Sequence, residues 1–263
     1  MSRLLVLLSL ALSMGLAHGA DVRGEEVNYT DNGTTLKGYL AYDASASGPQ
    51  PGVLVIHEWW GHNEHARNQA RRLAELGYTA LAVDMYGDGQ VADHPQDAGK
   101  FAGAIRQNSE LMMKRFTAAE NYLRSRSQTD AEKVAAIGYC FGGSVVLEMA
   151  RSGADLLGVA SFHGALTTQN PAQPGEVKSR VLVLHGNEDS MVPAEQVEGF
   201  KKEMDAAGVD YHFVGYDGAT HSFTNPAADE AAKKFGMPVG YNAEADQKSW
   251  DELERFLAET FGN

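Results

Sequence analysis

Hydrophobic and polar positions alternate in period two over the stretch VNYTDNGTTLKGYLAY (27–42), which is typical of two half-buried strands. Asn32-Gly33 at its centre is the dipeptide favoured in tight hairpin turns. From residue 52 onward the pattern changes, and short continuous apolar runs, typical of strands buried on both faces, alternate with segments of helical spacing. The sequence therefore predicts an N-terminal antiparallel hairpin followed by repeated strand–helix units.

Strand-like and helix-like segments follow one another to the end of the chain. The predicted strands after the hairpin are 52–58, 78–87, 133–139, 157–164, 179–189 with its loop, and 209–218, and the predicted helices are 63–77, 96–125, 142–153, 194–208 and 242–260. This alternation predicts an α/β fold with a mostly parallel central sheet and helices on both of its faces. No linker, repeat or low-complexity run interrupts the sequence, so a single domain over 20–263 is expected.

The first 19 residues are set apart by their composition. Arg3 is followed by the apolar run 4–12 and by small residues at Ala17 and Gly19, which is the anatomy of a secretory signal peptide. The apolar run is too short for a membrane span, and the alternative is an anchor helix that stays uncleaved. The pattern predicts that 1–19 is removed and that the mature protein is extracytoplasmic, either periplasmic or secreted.

Composition and charge narrow the range of partners. With 43% hydrophobic and 22% charged residues, the chain has an ordinary globular composition. Its net charge of −13 opposes binding to nucleic acid and to anionic membranes. A small-molecule partner is therefore expected, and a monomer is favoured although the sequence does not fix the oligomeric state. The single cysteine, Cys140, has no partner for an intramolecular disulfide, and an unpaired thiol in an oxidising compartment indicates reactivity.

Cys140 lies at the centre of a strand–turn–helix motif. The run GYCFGG (138–143) follows a predicted strand and opens a predicted helix, which matches the nucleophile elbow of α/β-hydrolases with cysteine in place of the usual serine. The sharp turn explains the glycines, and the helix N-terminus favours a thiolate and a developing oxyanion. A free thiol is only about 3% ionised at pH 7, so a base or the local field must assist. The alternative is a buried structural cysteine.

Two later strand ends supply an acid and a histidine. Asp189 lies in the loop after one buried strand, and His221 lies in a glycine-bearing loop after the next. The order nucleophile, acid, histidine is that of α/β-hydrolases, and all three residues follow strands, so they can converge on one edge of the sheet. We predict that His221 moves the proton and that Asp189 orients the imidazole and stabilises its charged form. Taken singly, Asp189 would be a loop-capping carboxylate and His221 a surface histidine.

An earlier strand end, in VIHEWWG (55–61), has the position of a second oxyanion donor. The backbone N–H groups of Trp59 and Phe141 form the predicted donor pair, and losing one such donor costs about 2.7–4 kcal/mol of transition-state stabilisation. Glu58 beside them is unusual, because a carboxylate opposes the charge that develops on an oxyanion. Glu58 is therefore predicted to accept the thiol proton, and the alternative is that it caps the following helix.

The segments HEWWG, GYCFGG, HGNEDSMVP and THSFTNP together resemble the dienelactone hydrolase family (carboxymethylenebutenolidases), within the α/β-hydrolase fold. The resemblance runs from about residue 25 to the C-terminus. It implies a catalytic triad of Cys140, His221 and Asp189 and a glutamate near the thiol, Glu58. The implied mechanism has Glu58 help form the thiolate once substrate binds. The thiolate then attacks the lactone carbonyl, and water assisted by His221 releases the acyl group.

The chain departs from the family pattern at one position. Dienelactone hydrolases that act on dienelactone carry an arginine four residues after the catalytic histidine, where it holds the substrate carboxylate, and this chain has Asn225 there. A neutral amide cannot replace a guanidinium–carboxylate pair, which argues against dienelactone as the physiological substrate. Arg106 is a weak match for a second substrate arginine. Trp60, Tyr86 and Ser222 are further substrate-binding candidates near the expected active edge, with packing at the rim as the alternative.

Histidines near the start of the first helix raise the question of a metal site. His57, His62 and His65 stand close in sequence to Glu58, but no second cluster of ligands accompanies them. Solvated polarity at a helix start is therefore the expected interpretation, and neither a metal nor an organic cofactor is predicted.

The sequence as a whole predicts a cysteine-nucleophile hydrolase of small esters or lactones that acts through a thioester acyl-enzyme. Two alternatives stay open. A thiol redox or peroxide-reducing protein would also use one exposed thiol, but it would not need Asp189 and His221 in hydrolase order. A non-catalytic ligand-binding module on a hydrolase fold would not need to keep every one of the predicted catalytic residues.

Overall fold

A computed structural model describes residues 19–262. The predicted signal peptide 1–19 lies outside these residues except for Gly19, and none of the helices in the described range combines the length and apolarity of a membrane span. The expected antiparallel hairpin is formed by β1 (Val22–Asp31) and β2 (Thr34–Asp43). Its turn has Asn32 at φ 45° and Gly33 at φ 86°, the left-handed conformations that an Asn-Gly turn adopts with little strain.

The remaining strands extend the sheet from this hairpin. The elements that follow are β3 (Gln50–Ile56), α1 (Glu64–Glu75), β4 (Thr79–Val83), α2 (Pro95–Arg106), α3 (Ser109–Arg124), β5 (Thr129–Tyr139), α4 (Phe141–Arg151), β6 (Gly158–Phe162), β7 (Arg180–Gly186), α5 (Ala194–Ala207), β8 (Tyr211–Tyr216), α6 (Ala228–Phe235) and α7 (Ala243–Phe261). Within the described range the sheet has the order β1-β2-β4-β3-β5-β6-β7-β8. β2 pairs antiparallel with β1 and β4, and the other neighbours pair in parallel. The predicted mostly parallel α/β sheet is confirmed.

Helices cover both faces of the sheet, because its central strands are apolar at successive positions. Along β3, Leu54 and Ile56 belong to one buried cluster with residues of α2–α5, whereas Val53 and Val55 belong to a second cluster with residues of α1 and α7. Successive side chains of a strand point to opposite faces, so a strand between two helical layers is hydrophobic throughout. The polar side chains that could carry chemistry therefore lie at the ends of these strands.

Three elements differ from the predicted ones. The predicted helix 96–125 is two helices, because the Asn108 side chain accepts a hydrogen bond from the N–H of Leu111 and starts α3. β5 begins at Thr129 rather than at 133. The sequence does not predict α6, whose apolar positions are three alanines and one phenylalanine within eight residues. That is a weak periodic signal in a short segment, and it matters because α6 borders the site.

Candidate active site

Cys140 lies between the end of β5 and the start of α4, where the elbow motif predicts it. Its backbone has φ 52°, a conformation that costs a non-glycine residue about 1–3 kcal/mol. The neighbouring glycines are required by space. A Cβ on Gly138 would lie 2.1 Å from the carbonyl oxygen of Gly142, and a Cβ on Gly142 would lie 2.3 Å from that of Ile56. The turn therefore holds the thiol at the carboxyl edge of the sheet.

His221 contacts both of its predicted partners. Its Nε2 lies 3.0 Å from Sγ of Cys140, and its Nδ1–H donates to Oδ2 of Asp189 at 2.7 Å. Oδ1 of Asp189 accepts hydrogen bonds from the backbone N–H groups of Met191 and Val192, at 2.8 and 3.2 Å. These bonds fix the carboxylate, and the carboxylate fixes the tautomer of His221 so that Nε2 faces the sulfur. Three side chains from three strand ends thus form one hydrogen-bonded line.

The charge of His221 depends on its two neighbours. All three side chains of the line are more than nine-tenths buried, and burial by itself would lower the pKa of His221. The negative charge of a Cys140 thiolate and the hydrogen-bonded Asp189 carboxylate outweigh burial and raise the pKa of His221 to about 10. The site therefore favours a protonated His221 whenever Cys140 is a thiolate.

The backbone beside the sulfur leaves two N–H groups free. The N–H of Gly142 donates to the carbonyl of His57 at 3.1 Å, which joins the start of α4 to the loop after β3. The N–H of Phe141 meets no acceptor among residues 19–262, and the same holds for the N–H of Trp59. These are the two groups that the sequence predicts as oxyanion donors, and both are available for a ligand.

Glu58 lies in the wall of the same cavity as Cys140 and is almost fully buried. Its Oε2 accepts a hydrogen bond from Nδ2 of Asn225 at 2.5 Å, and its Oε1 has no partner within the described residues. Asn225 is itself fixed, because its Oδ1 accepts from the N–H of Ala227 at 3.0 Å. Glu58 does not cap the following helix, since the N-cap residue of α1 is Asn63. One carboxylate oxygen thus stays open to a further hydrogen bond.

The cavity at Cys140 has about 520 Å³ of empty space, part of it open to solvent. Besides Cys140, His221 and Glu58, its lining residues are Trp59, Trp60, Arg106, Met191, Ser222, Asn225, Ala228, Ala231, Met237 and Val239. Most of these side chains are apolar, with a few polar groups near the sulfur, which is the usual composition of a small-molecule site. The substrate-binding candidates Trp60, Ser222 and Asn225 are therefore brought together with the thiol.

Arg106 lines the cavity, whereas Tyr86 contacts the loop that carries Trp59. Arg106, at the end of α2, lines the cavity with its guanidinium 5.4 Å from the ring centroid of Phe141. Tyr86 is buried and is not among the lining residues. Its hydroxyl donates to the carbonyl of Trp59 at 2.8 Å, and its ring packs 4.7 Å from that of His57. The substrate-binding role of Tyr86 stays a prediction, and the hydroxyl contact joins its side chain to the loop that carries Trp59.

Known proteins match both the sequence and the fold. The model of the Dienelactone hydrolase family matches residues 36–261. The chain belongs to this family. A relative from Methylorubrum extorquens, named "Putative carboxymethylenebutenolidase", is 30% identical over 83% of this chain and 75% of its own length. The solved structure of a dienelactone hydrolase-like promiscuous phosphotriesterase from metagenomic libraries is 38% identical, with a TM-score of 0.85 over 92% of this chain and 100% of the other.

Membership of the dienelactone hydrolase family confirms two predictions made from the sequence. The fold is that of α/β-hydrolases, and the protein is a hydrolase. "Protein usf" of Aquifex pyrophilus is a further relative, 29% identical over 79% of this chain and 90% of its own length. The family model spans most of the α/β domain, from within β2 to the end of α7.

A second buried histidine, His163, contacts the nucleophile of this dienelactone hydrolase and is missed by the sequence reasoning. It follows β6 with φ 40°. The N–H of Cys140 donates to the carbonyl of Phe162 at 2.9 Å and is shared with Nδ1 of His163 at 3.2 Å. The Nε2–H of His163 donates to Oγ1 of Thr224 at 2.9 Å. His163 therefore joins the nucleophile turn to the loop that carries His221.

The environment of His163 keeps its ring neutral. Burial, followed by the positive charge of His221, lowers the pKa of His163 well below its ordinary value. A signal in the sequence could have found this residue, because it directly follows the strand that pairs with β5. Its chemistry could not have been foreseen, since Thr224 approaches it from a distant part of the chain.

Two of the histidines near the start of α1, His57 and His62, are core residues of the dienelactone hydrolase fold, and His65 is partly buried. His62 is buried, and burial lowers its pKa to about 3. His57 is also buried, with its Nδ1–H donating to the carbonyl of Glu58 at 2.5 Å and its Nε2 accepting from the N–H of Met85 at 3.3 Å. The interpretation of these residues as solvated is therefore wrong. Among residues 19–262 no group of three or more potential ligand side chains could hold a metal ion.

Proposed function

We propose that the protein hydrolyses small esters or lactones through a thioester on Cys140. The observation that carries this proposal is the 3.0 Å contact between Nε2 of His221 and Sγ of Cys140, with Asp189 hydrogen-bonded to the far side of the imidazole. Together with membership of a hydrolase family, this arrangement favours acyl transfer over the other chemistry open to a thiol.

Acylation begins from the thiolate–imidazolium pair. The sulfur of Cys140 attacks the carbonyl carbon of the ester, and the N–H groups of Trp59 and Phe141 donate to the oxyanion that forms. The intermediate collapses as the C–O bond to the alcohol breaks, and His221 gives its proton to the leaving oxygen. The products are a thioester on Cys140 and an alcohol, which stays in the same molecule when the substrate is a lactone.

Deacylation needs His221 as a base, and acylation of Cys140 changes the charges of the site so that a neutral imidazole is favoured. Once Cys140 is acylated, the thiolate charge that raises the pKa of His221 is gone, while burial continues to lower it. The neutral imidazole then takes a proton from water as the water attacks the thioester carbonyl. The C–S bond breaks, the acid leaves, and the thiolate–imidazolium pair is restored.

Glu58 serves in this proposal as a second base for the thiol. It lines the same cavity as Cys140, one of its oxygens is held by Asn225, and the other has no partner within residues 19–262. Where the proton of Cys140 has not passed to His221, a substrate that displaces the Asn225 amide frees the carboxylate to take that proton and then to give it to the leaving oxygen. The carboxylate would then assist thiolate formation only when the cavity is occupied.

The cavity lining favours small uncharged substrates. Trp59, Met191 and Met237 supply apolar walls, and the amide of Asn225 is engaged with Glu58 rather than offering a positive charge. We therefore disfavour dienelactone, whose carboxylate needs a cationic partner. Arg106 is the lining cation that such a carboxylate would have to use.

Intact mass spectrometry tests the thioester. Incubation with p-nitrophenyl acetate is expected to give a burst of p-nitrophenol and a mass increase of one acetyl group on Cys140. Both should be lost in Cys140→Ala. If that variant hydrolyses the ester as fast as the unaltered protein, the proposal is wrong. A panel of lactones with and without a carboxylate then tests the substrate class, and strong preference for the carboxylated lactone would contradict the inference from Asn225.

The two alternatives raised by the sequence have their own tests. A peroxide-reducing protein would turn over hydrogen peroxide in His221→Ala, because its thiol would not depend on a hydrolase triad. A ligand-binding module would bind esters across the panel without turning them over. The contacts from Asp189 through His221 to Cys140 have no use in either alternative.

One relative favours phosphotriesters as a second substrate class. The phosphotriesterase structure is 38% identical to this chain over 92% of its length. In the same cavity the thiolate would attack phosphorus, the two free N–H groups would hold the phosphoryl oxygen, and an aryloxide would leave. Diethyl p-nitrophenyl phosphate should then give p-nitrophenolate and a diethylphosphoryl adduct on Cys140. If neither product forms, this activity is excluded.

We also propose that the mature protein is extracytoplasmic. Support comes from residues 1–19 of the sequence alone, with Arg3 before an apolar run and small residues at the end. When the full chain is expressed in a bacterium, the mass of the periplasmic or secreted product should correspond to a start near residue 20. A product that keeps Met1 and stays in the cytoplasmic fraction would contradict this.

A further inference from the structure

A second cleft adjoins the catalytic cavity on the side of α6. It has about 1250 Å³ of empty space, including open solvent, compared with about 520 Å³ for the cavity at Cys140. Trp60, Asn225 and Ala231 line both spaces, so the cleft and the cavity adjoin at a shared wall. The proposed hydrolysis of a small ester leaves this cleft unused.

Four aromatic rings are in contact between the cavity and the cleft, and two of them, Trp60 and Phe235, line the cleft. The Nζ of Lys234 lies 4.8 Å from the ring centroid of Phe235. We call Trp59, Trp60, Phe235 and His94 the aromatic strip. The centroids of the two indoles are 5.1 Å apart, Phe235 lies 6.3 Å from Trp60, and His94 lies 5.3 Å from Phe235. Trp59 at the inner end carries one of the free N–H groups beside the sulfur, and the rings of Trp60 and Phe235 are only partly buried. The strip therefore presents accessible ring surface that starts at the reacting atoms.

The walls of the cleft are held by backbone contacts. The carbonyl of Trp60 accepts a hydrogen bond from the N–H of Ala92 at 2.9 Å, and Gly61 forms a β-bridge with Val91. On the other side, Phe235 at the end of α6 is packed between two rings of the strip. A surface that is fixed before binding loses less entropy when a ligand occupies it.

The charges of the cleft cancel. Lys233 and Lys234 line it together with Asp93 and Glu230, two positive and two negative side chains. A charged group would therefore gain little net attraction there, whereas hydroxyl or ether oxygens would find donors at its rim. The cleft favours an uncharged ligand with a flat apolar face.

We propose that this cleft is a subsite for a neutral aromatic arm of the ester substrate, which stacks on Trp60 and Phe235 while the ester carbonyl lies at Cys140. The substrate class is then an ester with an uncharged aryl ring a short chain away from the reacting carbonyl. This inference rests on the proposed ester hydrolysis, and it predicts selectivity that the small cavity alone would not produce.

Two ketones test the subsite without chemistry. The probes are 4-phenylbutan-2-one and its saturated counterpart 4-cyclohexylbutan-2-one, compared as competitive inhibitors of p-nitrophenyl acetate hydrolysis. We expect the aryl ketone to bind about fivefold more tightly, the factor that an aromatic contact supplies. In Phe235→Leu the ratio should fall to about twofold, because Trp60 is then the remaining stacking ring of the cleft. The matched control is Phe213→Leu on β8, at the far edge of the sheet, which should keep the ratio.

The outcomes separate this inference from the proposed function. Equal inhibition by the two ketones, or a ratio that is unchanged in Phe235→Leu, overturns the subsite. Failure of the unaltered protein to hydrolyse p-nitrophenyl acetate contradicts the proposed function instead. In that case quenching of tryptophan fluorescence by the same ketones still measures the binding ratio. Methyl 3-phenylpropanoate and 2-phenylethyl acetate, each against its cyclohexyl analogue, should show the preference in KM for at least one of the two arms.

Discussion

His221 and His163 lie beside each other below the cavity, with ring centroids 5.3 Å apart, and both are almost fully buried. Burial acts on both rings in the same direction, yet the pKa of His221 is raised to about 10 and that of His163 is lowered well below its ordinary value. His221 faces the Asp189 carboxylate and the Cys140 sulfur, whereas His163 faces a backbone N–H and a hydroxyl group. The contact with negative charge, rather than burial, decides which imidazole can carry a proton.

The two rings also differ in what their hydrogen bonds require. A neutral His163 can make both of its contacts, because its Nδ1 then accepts a share of the Cys140 N–H, which also donates to the carbonyl of Phe162, while its Nε2–H donates to Thr224. His221 donates through Nδ1 to Asp189 in either charge state, which leaves Nε2 to gain and lose a proton beside the sulfur. One histidine is therefore suited to proton transfer and the other to holding two loops together.

The largest expected effect is a difference in enzyme activity between variants of the two histidines. His221→Gln removes the proton carrier, so kcat/KM for an activated ester should fall about 10⁵-fold. Steady-state kinetics with p-nitrophenyl acetate measure it. The matched variant is His163→Gln, which removes the neighbouring ring but not the proton carrier. If both variants lose the same activity, the assignment of different roles to the two rings is wrong.

The second largest effect is expected when the negative charge of Asp189, which distinguishes the surroundings of His221 from those of His163, is removed. Asp189→Asn replaces a carboxylate that accepts from Nδ1–H with an amide that can donate to it and so favours the wrong tautomer. We expect kcat/KM to fall about 10⁴-fold, with a folded protein by circular dichroism. A loss of less than tenfold would show that His221 does not depend on this carboxylate.

Thiol alkylation should depend on the charge of His221. Because the pKa of His221 is raised to about 10, the imidazolium persists below that pH and is lost only as the pH rises through it. A positive charge 3.0 Å from Sγ favours the thiolate, so alkylation of Cys140 by iodoacetamide should slow about tenfold at pH 7 in His221→Gln. The difference should narrow as the pH approaches 10. His163→Gln should keep the rate of the unaltered protein, and an equal loss in both variants would contradict the comparison.

A smaller effect is expected from His163 itself. His163→Asn and His163→Gln each keep one of its two hydrogen bonds, so the Cys140 turn should be displaced rather than destroyed. We expect kcat to fall about tenfold with KM little changed, as for a misplaced nucleophile. A change confined to KM would indicate a substrate contact instead of a positioning role.

The smallest effect concerns stability. Thr224→Val removes the acceptor of the His163 Nε2–H and leaves a buried donor unpaired, which costs about 1–3 kcal/mol of unfolding free energy. Urea denaturation measures it. Thr224→Ser keeps a hydroxyl at the same place and should lose less. Equal losses in the two variants would show that the hydroxyl group is not what matters.

Local pattern predicts the residues whose neighbours in sequence define them. The Asn-Gly hairpin, the glycine-flanked elbow at Cys140 and the strand ends before Asp189 and His221 all carry a short-range signal, because turn geometry and strand periodicity act over a few residues. Local pattern does not predict α6, which has few apolar side chains to mark it. It also does not predict the hydrogen bond from the hydroxyl of Tyr86 to the carbonyl of Trp59. Both depend on packing partners that the local sequence does not reveal.

The sequence by itself determined the α/β fold, the strand–helix order and the convergence of Cys140, Asp189 and His221 on one sheet edge. Only the tertiary structure decided the hydrogen bond from Asn225 to Glu58, which joins residues 167 positions apart, the neutral His163, and the position of the cleft beside α6 next to the cavity. The physical reason is the distance along the sequence over which each kind of interaction acts. Periodicity and turns follow from neighbouring residues, whereas charge states and cavities follow from side chains that folding alone brings together.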